Sequence, residues 1–201
     1  MTLPQARLLA VIGLVMMAGP AYAHAPIPGI KGFYVGLLHP FSTPAQALVM
    51  LGTGLLVAGY AEDSVRWLLA GFLACSLLGV IFGSADSTLD PTLFGATVLI
   101  CSFTALLPGR LLPAALVLVG GAGLLIGSAS IPDDGPTRDR LFTTSGSIVG
   151  ASLGLLYLFG ILYYIRKRAQ AAWLGIVVRV VAAWIGAVAM LMLALGTMTP
   201  T

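Results

Sequence analysis

Six apolar runs of roughly twenty residues follow one another through this chain, separated by short polar, proline- or glycine-bearing segments. A helix of that length rises about 30 Å, the thickness of a bilayer's hydrocarbon core. A helix also satisfies its own backbone donors and acceptors where no water can. Hydrophobic residues make up 59% of the chain and charged residues 8%, too few charges to coat a water-soluble globule of this size. The formal net charge of +3 would raise nucleic acid as a partner in a soluble protein, but here the cations sit between apolar runs, where they orient helices. The pattern predicts an all-α integral membrane bundle in contact with the lipid bilayer and with no nucleic-acid partner.

The spans are expected at about residues 44–60, 65–82, 91–107, 111–130, 143–165 and 171–196. Short connections predict antiparallel neighbours in a single transmembrane domain over residues 24–201. Residues 1–23 read as a secretory signal peptide: Arg7, the apolar run Leu8 to Ala18, Gly19-Pro20, then Ala21-Tyr22-Ala23. The competing reading is an uncleaved first helix, but the run is short for a span and the small-residue ending favours cleavage. Cleavage would leave both mature termini on the periplasmic side of a bacterial inner membrane. Arg66, Arg110, Arg166, Lys167 and Arg168 would then face the cytoplasm, as the positive-inside rule requires.

Residues 36–46, Gly-Leu-Leu-His-Pro-Phe-Ser-Thr-Pro-Ala-Gln, interrupt this apolar pattern. Pro40 and Pro44 remove backbone donors and disfavour helical geometry in the residues before them, so a broken or re-entrant segment is expected. Breaks of this kind line polar pathways in transporters. His39 at its centre is a candidate metal ligand or a hydrogen-bonded interfacial imidazole. Gln46, seven residues on, would face the same cavity in a continuous helix. His24, the first mature residue after cleavage, offers an amine and an imidazole, although its Pro-rich surroundings equally fit a solvated strap.

The remaining polar residues divide between structure and chemistry. Arg179, read as lying near the middle of the last span, must face protein or water and pair with Asp86, Asp90 or a broken helix's carbonyls. Cys75 and Cys101 fall within apolar runs as small hydrophobes. Glycine-rich patches at residues 52–54, 120–123 and 146–154 predict close helix contacts, and none has the context of a nucleotide loop. No nucleophile, base and orienting group or metalloprotease signature is present, so the chain is not expected to be an enzyme.

His39-Pro40 after a signal peptide, Met50 further on, and a small apolar bundle together resemble the HupE/UreJ proteins, membrane components associated with hydrogenase and urease systems and regarded as nickel permeases. In that family the first motif reads approximately H-P-x-x-G-x-D-H. Here Thr43 stands for the glycine, Ala45 for the aspartate and Gln46 for the second histidine. A second segment, approximately F-H-G-x-A-H-G, corresponds to residues 125–130, where Gly127 and Ala129 match while Ile126 and Ser130 replace the histidines. A third places Tyr157 where the family has histidine after a leucine pair, with Gly160 three residues beyond. The resemblance implies transport of Ni2+ or another divalent metal, with no tightly bound cofactor. His24 and His39 would be the ligands, and Gln46, Ser128, Ser130 and Tyr157 polar lining. The missing histidines equally fit a non-transporting accessory subunit or scaffold, with a membrane-protein partner or a second copy of itself. A third reading takes Arg179 as an anion contact for another solute.

Overall fold

The computed structural model describes residues 32–83, 89–132, 137–169 and 173–198. The expected signal peptide, His24, Asp86, Asp133 and Asp134 lie outside the described residues. Within them the chain forms α1 (Phe33–Ser42), α2 (Pro44–Val57), α3 (Glu62–Phe82), α4 (Asp90–Leu106), α5 (Leu112–Ala129), α6 (Thr137–Ala169) and α7 (Leu174–Met198), and no strand.

The break falls where the prolines dictate. Thr43, preceding Pro44, is extended at φ −96° and ψ 116°, and Pro44 opens α2 at a position that needs no backbone donor. Pro40 lies inside α1. The axes of α1 and α2 consequently differ by 76°. Among the described residues four helices are long and apolar enough to cross a membrane, or five if this bent pair is one span, and α4 is a shorter apolar helix of 17 residues.

Consecutive helices are not the main packing partners. α1 packs on α6, α3 on α5, and α4 on α7, while α2 contacts helices from all three pairs. Small residues explain these pairings. A Cβ at Gly146 or Gly150 would overlap the backbone of α1 at Phe33 and Leu37, and one at Gly154 would overlap the Phe41 ring. The four-residue repeat on each helix makes a parallel ladder, backbone against backbone. Gly123 and Gly127 do the same for α5 against Phe72 and Ser76 of α3.

Val49, Leu56, Leu68, Phe72, Leu93, Ile100, Ile126 and Leu155 fill the interior. Four buried hydroxyls there carry no visible chemistry: Thr53, Ser76, Thr97 and Thr104 each donate to the carbonyl four residues earlier. Cys101 is buried and Cys75 half-buried, both as free thiols.

Arg66, Arg110, Arg166, Lys167 and Arg168 lie at one end of the bundle, and Arg138 and Arg140 at the other. Tyr60 donates to the Arg110 carbonyl, Arg166 to the Ala58 carbonyl, and Tyr163 to the Glu62 carboxylate. These contacts tie together the α2–α3 connection, the α4–α5 connection and the end of α6. Arg179 belongs to this end as well. It lies in the second turn of α7, away from the span's middle, and its Nε donates to Ala105 O at 2.6 Å, near the C-terminus of α4. Asp90 is at the other end of α4, about 22 Å away along the helix. A backbone carbonyl at a helix's negative end is therefore the partner.

Candidate functional site

At the opposite end, the break brings polar groups from four helices together. His39, half-buried in the last turn of α1, and Gln46, buried in the first turn of α2, approach to 3.2 Å between their Nε2 atoms. The amide donates and the imidazole accepts when the ring proton is on Nδ1. The same amide nitrogen reaches Ala129 O at the end of α5, at 3.4 Å. Gln46 Oε1 is buried without a hydrogen-bond partner. A buried carbonyl oxygen in that state costs about 1–3 kcal/mol, so it is a standing acceptor for a donor or cation.

A second layer lies beside it. The buried Ser130 and Ser147 hydroxyls are 2.7 Å apart, and Ser130 Oγ also donates to Ile126 O at 2.6 Å. Thr144 Oγ1 donates to Ser130 O at 3.4 Å. Ser128 bonds the Gly79 carbonyl across the α3–α5 contact at 3.1 Å and its own Leu124 carbonyl at 3.0 Å. The result is one imidazole, one amide oxygen and several carbonyls and hydroxyls. Among the described residues no three His, Cys, Asp or Glu side chains come close enough to hold a metal ion. One nitrogen with neutral oxygens gives a weak site, suited to transient contact rather than to a closed cage.

A family model described as HupE / UreJ protein matches residues 12–193, nearly the whole chain. The chain belongs to the HupE/UreJ family. No curated protein and no solved structure matches it. In this HupE/UreJ protein the residues that the resemblance pairs with the family's motifs separate in space. His39, Gln46 and Ser130 lie around the break on α1, α2 and the end of α5, with Ser128 nearby on α5. Tyr157 does not join them, for it is 72% exposed and borders an apolar groove on the outside of α6. Arg179 is at the other end of the bundle.

Three participants have no counterpart among the sequence candidates: Ser147, Thr144 and the Ala129 carbonyl. Ser147 lies within the glycine patch at residues 146–154, and a hydroxyl inside such a patch was the available signal. The carbonyl left no signal, since its exposure follows from where α5 stops.

Proposed function

We propose that this HupE/UreJ protein is an inner-membrane permease for a small divalent cation, nickel or cobalt by family analogy. His39 and Gln46 form the contact point at the break. The observation that carries the reading is the buried, unpartnered Gln46 Oε1, on a side chain whose amide nitrogen lies 3.2 Å from His39 Nε2. Turning the amide while the ring proton stays on Nδ1 would present Oε1 and the Nε2 lone pair together to a cation, with Ala129 O as a third ligand. α4, short but apolar, completes six spans, with the basic end cytoplasmic and both mature termini periplasmic. Binding and transport, without covalent chemistry, are its whole activity.

The test is nickel and cobalt accumulation in whole cells at matched expression. Cells carrying the native chain should accumulate more metal than cells carrying His39→Ala. Equal accumulation would overturn the permease reading.

The second reading is an accessory subunit that keeps the bundle without a metal path. Its support is the Ser130–Ser147 hydroxyl pair, which satisfies its own bonding across the α5–α6 contact and leaves little need for a passing ion. It predicts a stable co-purifying membrane partner in mild detergent and no metal dependence. Ion flux from purified protein in vesicles would rule it out.

A further inference from the structure

Two concavities meet on α6. An apolar groove of about 840 Å³ runs between α1 and the outer face of α6, from Gly150 to Tyr164. It exists because α1 ends at Ser42 and turns away, leaving the lower part of α6 without a neighbour on that side. A polar cavity of about 490 Å³ lies at the basic end, lined by Tyr60, Glu62, Tyr163, Arg166 and Lys167.

The register of α6 joins them. Phe159, Tyr163 and Arg166 follow one another at spacings of four and three, and so do Gly160, Tyr164 and Lys167, so each set forms a single stripe along the helix. Both stripes begin in the apolar groove and end in the cavity or at its rim. The Phe159 and Tyr163 rings stack with centroids 5.7 Å apart across the junction, and Lys167 Nζ sits 5.6 Å from the Tyr163 ring. Tyr163 donates to one oxygen of the Glu62 carboxylate. The cations Arg166, Lys167 and Arg168 outnumber the acids Glu62 and Asp63 at the start of α3. The guanidinium of Arg166 spends one donor on the Ala58 carbonyl and carries five.

We infer that groove and cavity together form a binding site for one anionic phospholipid, with an acyl chain along Gly160 and Tyr164 and the phosphodiester at Lys167 and Arg166. An anionic headgroup matches the excess positive charge, and basic pockets between helices select such headgroups. A soluble phosphate would use the cavity and leave the adjoining groove without purpose. A second copy of the chain would have to cover the groove with a helix and would gain nothing from the cations.

The test is lipid retention by the full chain in mild detergent, measured by native mass spectrometry with phosphatidylglycerol and phosphatidylcholine of identical acyl chains. The native chain should retain phosphatidylglycerol about fivefold better. Lys167→Gln, an exposed change, should bring the two lipids to equal retention. Gly160→Leu should lower retention of both, since a Cβ there meets nothing within 4 Å and the side chain would enter the groove without disturbing the fold. Arg138→Gln, at the other end, should change neither. Equal retention of the two lipids by the native chain, or a preference unaltered by Lys167→Gln, overturns the proposal. Displacement of the lipid by inorganic phosphate with no effect of Gly160→Leu assigns the cavity to a free anion and also overturns it. So does a dimer whose formation excludes lipid.

Discussion

The two ends of the bundle hold their polar side chains in opposite ways. At the break, His39, Gln46, Ser130 and Ser147 point inward and bond among helices that pack backbone against backbone. At the basic end, Tyr60, Arg166 and Arg179 reach from exposed or partly exposed positions to carbonyls of connections and helix ends. The first arrangement needs close packing to exist at all. The second could be assembled on almost any loop geometry, because long side chains adapt. The break end is thus specified by shape, whereas the basic end is specified by charge.

The strongest challenge to that contrast is to spoil the shape. Gly150→Leu would drive a side chain into the Leu37 backbone, and a backbone cannot step aside as a flexible side chain can. A loss of about 3 kcal/mol is expected, measured as reduced thermal stability in detergent. If stability holds, α1 does not depend on the ladder. Next comes Gln46→His, which returns a second imidazole beside His39. Nickel affinity of the purified protein should rise about tenfold, equivalent to about 1.4 kcal/mol, by isothermal titration. Unchanged affinity would separate His39 from any metal role.

Ser147→Ala acts at smaller scale by removing one half of the buried hydroxyl pair. Ser130 keeps its bond to Ile126 O, so the expected cost is only about 0.6 kcal/mol in unfolding titrations. A much larger loss would mean that the pair holds α5 to α6. The smallest effect belongs to Arg179→Gln. Its contact with Ala105 O is exposed, and stability should stay within about 0.5 kcal/mol in the same titration. A large drop would show that charge at this end carries structure too.

Much of this was legible in the chain. Two prolines four apart announce the break, and the apolar runs correspond to α2 through α7 within a few residues. The spacing of His39 and Gln46 suggested proximity on a continuous helix, yet the proximity arises across a bent one, because the 76° turn folds the end of α1 over the start of α2. Arg179 was misplaced in depth because hydropathy merges the residues before Leu174 with the helix and hides where α7 begins. Tyr157 could not be told from an inward residue, since α6 is apolar on nearly every side and gives no moment to orient it. Helix pairing was the least visible property. Short connections point to consecutive neighbours, while the glycines that set the real pairs lie far apart in the chain.

The α1–α6 ladder also sets an order of events. Gly32 and Thr143, which meet at its upper end, are separated by 111 residues, so the surface that receives α1 is made long after α1 itself. Until α6 is inserted, a ten-residue apolar helix with His39 and Pro40 in its last turn has no backbone to lie against. Closure of the α1–α6 contact is thus among the last steps of assembly, and a chain interrupted before Gly146 has none of the glycines against which α1 packs.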